Sequence, residues 1–171
     1  MEAEENFTVE SAEANRDIAA EYLKAEKSAL VLIARAEQCS QGLKNKLEKK
    51  KYHADIIQTV LDRLTELDLV NDRRYAGLWL KSRIVKGTKG PRMLSERLRA
   101  KGIDRKTAEA ALAASLSPET EAALLRRCLE NADKKNSTFN ENSSADRKTA
   151  IRYFLKNEGF SADAINEYFE E

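Results

Sequence analysis

Aligning Leu47 with Leu98 and Leu155 brings five apolar positions into register three times, at separations of 51 and 57 residues. Four residues earlier stand Leu43, Leu94 and Ile151; five later, Tyr52, Ile103 and Phe160; ten later, Ile57, Ala108 and Ile165; fourteen later, Leu61, Leu112 and Phe169. Such a recurrence marks a repeated supersecondary unit whose copies stack to bury a continuous core. Each copy reads as a helix, a tight turn and a second helix. Leu94 and Leu98, at i and i+4, share a helix face that ends at Gly102, where a left-handed C-terminal cap costs glycine little. Asp104 suits the cap of the next helix, which runs through Ala108, Ala111 and Leu112. Gly159, Phe160 and Ser161 repeat this turn, whereas the first copy has Lys51 in the glycine position and His53 at the cap. His53, the chain's single histidine, therefore reads as a turn residue rather than a ligand or a base.

A further helix precedes each pair. Residues 72–86 place Tyr75, Ala76, Trp79, Leu80 and Ile84 on one stripe, with Trp79 as a core anchor. Residues 29–39 point Leu30, Ile33 and Ala34 inward, and Ser117-Pro118 opens a third leading helix through Leu124, Leu125 and Leu129. The expected fold is all-α: three tandem three-helix repeats, about nine helices, over residues 29–68, 69–116 and 117–171. An acidic, partly disordered extension, residues 1–28, precedes them, its first ten or so residues without structure. Ile18, Ala19, Tyr22 and Leu23 mark an amphipathic helix leading into the first repeat. The polar stretch 133–146 reads as a loop within the third.

Charge is segregated along this frame. Residues 1–28 carry −5, residues 29–116 carry +9 and residues 117–171 carry −3, although the whole chain is only +1. Between Lys81 and Lys106 ten bases meet two acids, Glu96 and Asp104. A cluster of that density suits a polyanion, by displacing counterions from a phosphate backbone, and it suits an acidic protein groove equally well. The longest apolar run, Ala29–Ala34, is far short of the roughly 20 residues of a spanning helix. The start Met1-Glu2-Ala3-Glu4-Glu5 does not read as a secretory signal. Two cysteines, Cys39 and Cys128, make neither a disulfide framework nor a zinc site. A cytoplasmic helical protein with no membrane partner is expected.

Chemistry finds little purchase. No phosphate-binding P-loop, nucleophile elbow or clustered His, Cys and Asp occurs. Gly87-Thr88-Lys89-Gly90 has the spacing of a GxxG phosphate clamp, but no strands accompany it. Gly87 as a helix end and Gly90-Pro91 as a helix start explain the same residues, while leaving amides beside Lys86, Lys89 and Arg92 open to a phosphate.

The run Leu69-Val70-Asn71-Asp72-Arg73-Arg74-Tyr75-Ala76, then Gly90-Pro91-Arg92-Met93-Leu94 and Leu98-Arg99-Ala100-Lys101-Gly102-Ile103, resembles the RecX family of recombination regulators. Leu43-Lys44-Asn45-Lys46-Leu47 with residues 49–52 fits that family's first unit. The resemblance implies a curved, elongated array of three-helix units that binds RecA, chiefly as its filament on single-stranded DNA, and leaves open whether monomeric RecA is bound as well; the chain itself is expected to be a monomer. It implies inhibition of ATP hydrolysis and strand exchange in DNA repair, recombination and the SOS response, without enzymatic activity or a cofactor. The extension before residue 29 and the 133–146 stretch depart from the family pattern.

Asp72, Tyr75, Leu98 and Ile103 read as cap and core rather than contacts. The RecA- and DNA-binding face is assigned instead to Lys81, Arg83, Lys86, Lys89, Arg92, Arg97, Arg99, Lys101 and Arg105, with Lys49, Lys50 and Lys51 from the first repeat. A helical DNA-binding protein acting without RecA, with a recognition helix in the major groove, and a non-catalytic interaction scaffold remain as alternatives.

Overall fold

The structure, a computed structural model, describes the backbone of residues 2–135 and 144–170 and the side chains of residues 15–133 and 146–170. Most of the expected loop at 133–146 lies outside the described residues, helix reaching Lys135 on one side and resuming at Ser144 on the other, whereas the backbone of residues 2–10, expected to be without structure, is helical. Among the described residues there are nine helices and no strand. They are α1 (Glu2–Arg35), α2 (Ser40–Lys49), α3 (Ala54–Glu66), α4 (Asp72–Lys86), α5 (Pro91–Ala100), α6 (Arg105–Ser115), α7 (Pro118–Lys135), α8 (Ser144–Asn157) and α9 (Ala162–Glu170). Taken in threes, they are the repeated three-helix units. Contacts divide the chain into two units, Met1–Asp72 and Arg73–Glu171.

In the first unit α1, α2 and α3 enclose Ala25, Ala29, Leu43, Leu47, Ile57, Val60 and Leu64. The acidic segment and the leading helix of this repeat are one continuous helix, which passes through positions 28 and 29 without a break. Its inward stripe differs from the expected one. Leu30 is 42% exposed and Ala34 is exposed too, whereas Ala25 and Ala29 are fully buried, with Tyr22, Leu32 and Ile33 packed beside them. The cause is that α1 docks through turns that lie before residue 29, and two alanines let its backbone approach closely. Ile18 and Leu23 stay mostly exposed.

The turn at the heart of the repeat passes through a left-handed residue three times. Lys51, Gly102 and Gly159 have φ of 65°, 89° and 90°. Gly102 N–H donates to the Arg99 carbonyl (2.9 Å) and Ile103 N–H to Leu98 (3.2 Å); Gly159 N–H donates to Lys156 and Phe160 N–H to Leu155, both at 3.2 Å. This pair of bonds is the Schellman ending, which returns the chain under the helix it has just left. Lys51 N–H makes the corresponding bond to Glu48 (2.8 Å), so the first turn keeps the glycine geometry with a side chain in place.

A second recurrence ties leading helix to turn. Glu21, Ala25 and Ala29 in α1 match Asp72, Ala76 and Leu80 in α4, and Glu121, Leu125 and Leu129 in α7: an acid, then two buried residues at i+4 and i+8. Glu21 Oε1 accepts the backbone N–H of His53 (2.8 Å), and Glu121 Oε1 accepts that of Ser161 (2.9 Å). Asp72, one methylene shorter, accepts from Ser40 N–H (2.7 Å) at the start of α2.

In the second unit Ala76, Leu80, Leu94, Leu98, Ile103 and Ala108 are buried, and Leu124, Leu125, Cys128, Leu155, Phe160 and Ile165 form a core against which Ile84 of α4 also packs. Trp79, expected as a core anchor, is only half-buried in α4. Asp104 caps α6 through its carboxylate (Thr107 N–H, 2.9 Å); hydrogen bonding from the Thr107 side chain, then from its backbone N–H, holds the carboxyl below the usual carboxylate range. His53 stands at the cap position of α3, but its ring makes no cap bond. Nδ1 lies 2.7 Å from Glu21 Oε2 instead.

Candidate functional site

The twelve bases assigned from the sequence differ in what surrounds them. Lys49, Lys50 and Lys51 are exposed at the C-terminal end of α2, where positive charge also complements the helix dipole. In the second unit Lys81 and Lys86 are exposed on α4, five residues apart and so about 140° apart around the helix. Arg83 lies between them in sequence, its guanidinium 5.3 Å from the centre of the Trp79 ring. Arg97, Arg99 and Lys101 are exposed at the end of α5, and Arg105 is hydrogen-bonded to Glu109 (2.7 Å), which strengthens its hold on its proton. Among the described residues no ion pair engages Lys81, Lys86, Arg97 or Arg99.

Lys89 and Arg92 are engaged within the unit. Lys89 Nζ pairs with Glu158 at the end of α8. Arg92 bonds Glu96 (3.0 Å) and donates to the carbonyls of Lys156 (3.1 Å) and Asn157 (3.5 Å), the last carbonyls of α8. Arg127 does the same for α4, donating to the carbonyls of Ile84 and Val85 at 2.8 Å each. Guanidinium groups thus close two helix C-termini with both hydrogen bonds and charge. The Gly87–Gly90 segment joins the same contact. Gly87 N–H donates to Arg83, Gly90 N–H donates to the Glu158 carbonyl (2.9 Å), and Gly90 is buried. Those two amides are not open to a phosphate.

Next to this contact, Cys128 is 3% exposed, and burial followed by the nearby Glu158 charge pushes its thiol up to about 11. Such a thiol is protonated at neutral pH and inert as a nucleophile. Among the described residues, no group of three or more His, Cys, Asp or Glu could hold a metal ion, and no helix is long and apolar enough to cross a membrane.

A second cationic group escaped the sequence reading. Arg152 and Lys156 on α8, with Arg92 on α5, line an open groove of about 340 Å³ floored by Phe160 and Ile165. Arg152 lies 4.7 Å from the Phe169 ring centre, and Lys148 lies 5.0 Å from it. The signal was present: residues 147–156 hold four bases and no acid. Averaging over the net-negative segment 117–171 concealed it.

Comparison with known proteins follows the same division into repeats. Residues 25–64 match the family model for the first three-helix domain of RecX, and residues 71–112 that for its second. Regulatory protein RecX of Pelodictyon phaeoclathratiforme is 32% identical over 137 residues, 80% of this chain and 81% of that protein. Regulatory protein RecX of Mycolicibacterium vanbaalenii is 42% identical over 83 residues, 48% of this chain and 45% of that protein, so the match spans under half of that relative's length. The crystal structure of RecX from Lactobacillus salivarius superposes with a TM-score of 0.75 at 26% identity, covering 89% of this chain and 96% of that one.

Proposed function

This chain belongs to the RecX family of regulatory proteins, and on that premise we propose that it binds RecA, chiefly as the filament on single-stranded DNA, and restrains ATP hydrolysis and strand exchange. It acts in the cytoplasm as a non-enzymatic, cofactor-free modulator of recombination. The observation that carries the reading is the set of exposed bases on the second three-helix domain, Lys81, Lys86, Arg97 and Arg99, which no acid of the described residues neutralises. Their charge is available to a polyanionic partner, and the lysines at the end of α2 add to it from the first domain. Occupation of neighbouring RecA subunits and the DNA between them would oppose the subunit movement that accompanies ATP turnover.

Titration into RecA filaments on single-stranded DNA tests this directly. The rate of DNA-dependent ATP hydrolysis falls at or below one molecule per RecA subunit, and the effect weakens with added salt. An unchanged rate at low and moderate salt rejects the reading. Sequence-specific duplex binding without RecA would replace it with a DNA-binding function.

A further inference from the structure

Neither the basic stretch read from the sequence nor the family match points to the groove between α5, α8 and α9. We propose that this groove seats a phosphodiester of single-stranded nucleic acid, with Lys156 and Arg152 holding the phosphate and Tyr153 stacking the adjoining base. The proposal rests on the reading of the chain as a partner of RecA–DNA filaments, and gives the third repeat its own contact to the DNA.

The geometry distinguishes the three cations. Arg92 is pinned by two carbonyls and partly neutralised by Glu96. Arg152 is fixed in place, since one nitrogen donates to Asn166 Oδ1 (2.6 Å) and the guanidinium lies over Phe169. A guanidinium has five donors, so this anchoring leaves others for a ligand and removes much of the entropy cost of using them. Lys156 is exposed, and no described acid pairs with it. Arg152 and Lys156 are i and i+4 on α8 and so act on one side of the helix.

The aromatic neighbour favours nucleic acid over an acidic protein surface. Tyr153 is 69% exposed, and it stands three residues before Lys156 on the adjoining face. Basic groove and exposed ring together are the elements by which proteins track single strands: charge for the backbone, a π-face for any base.

The test uses the full chain and a fluorescein-labelled oligothymidylate, read by anisotropy over a salt series. Lys156→Gln and Arg152→Gln weaken binding, and each lowers the slope of log affinity against log salt by about 0.7. Tyr153→Ala weakens binding at least about fivefold and leaves the slope unchanged. Lys156→Arg restores wild-type behaviour. Arg152→Gln also removes a ring contact, so Lys156→Gln and Tyr153→Ala, both at exposed positions, carry the decision, with thermal melts as the folding control. Unaltered affinity in those two variants overturns the proposal, as does a wild-type chain that binds no oligothymidylate. Poly-glutamate competing as well as oligothymidylate of equal charge overturns it in favour of an acidic protein partner. Filament ATPase measured alongside separates the two levels. Inhibition by wild type with unaltered oligothymidylate binding by the variants removes the groove and keeps the RecA reading, whereas groove-dependent DNA binding with no effect on the filament does the reverse.

Discussion

Gly90 and Gly159 meet backbone to backbone: a Cβ on Gly90 would lie 2.4 Å from the carbonyl carbon and oxygen of Gly159. The loop before α5 is thereby laid on the Schellman turn of the third repeat, with Gly90 N–H bonded to Glu158 and Arg92 N–H to Gly159 (3.1 Å). Spacing that suggested a phosphate clamp serves instead to dock one repeat on the next. Gly90→Ala should therefore destabilise the protein by about 1–3 kcal/mol, as overpacked sites do. Gly77 is the control. Nothing lies within 4 Å of a Cβ there, and it sits inside α4, so Gly77→Ala should stabilise by up to about 1 kcal/mol. Denaturant midpoints for the two variants should move in opposite directions.

Lys51 holds a φ of 65° where its two counterparts are glycines. A left-handed backbone costs a residue with a Cβ about 1–2 kcal/mol, and glycine returns part of that gain through the freedom of its unfolded chain. Lys51→Gly should raise the stability of the first unit by about 0.5–1 kcal/mol. An unchanged or lower midpoint in equilibrium unfolding would mean that the lysine side chain supports the fold by some other contact.

Lys89 and Arg99 separate structural from available charge. Lys89→Glu sets a second carboxylate against Glu158, and should cost about 1–2 kcal/mol by losing the pair and adding repulsion. Arg97→Glu with Arg99→Glu should leave the melting temperature within a degree or two, since both are exposed away from the core, as is usual for surface changes of less than about 0.5 kcal/mol. The double variant should nevertheless weaken RecA-filament inhibition severalfold. Thermal melts and the ATPase titration on the same preparations decide between the two roles.

The Glu21 carboxylate sits below its ordinary value of 4.5 because it accepts the backbone N–H of His53, then the His53 ring, with Lys24 adding charge. A carboxylate favoured by the folded state stabilises fully above its unfolded value and loses that contribution as pH falls through the lowered folded one. Stability of the wild-type chain should therefore fall with acidification below pH 4.5. Glu21→Gln should make that fall shallower while lowering stability at neutral pH. Parallel acid dependences in the two proteins would show that the bond contributes nothing.

Periodicity alone carried the helical class, the threefold recurrence and the turn. Leu43 and Leu47, Leu94 and Leu98, and Leu155 are fully or almost fully buried, and Lys51, Gly102 and Gly159 share one backbone conformation. Those features are local: residues a turn apart must share a face, and a helix can reverse so tightly only through the left-handed region. Which bases remain available was not local. Lys89 and Arg92 look in sequence like their neighbours Lys86 and Arg97, yet they meet Glu158 and the end of α8, more than 60 residues away. The inward stripe of α1, the acid from each leading helix, and the groove at Arg152 and Lys156 were equally set by elements distant in the chain. A charge count records how many cations a segment holds. Only packing decides which of them face one another, which close a helix end, and which are left for a partner.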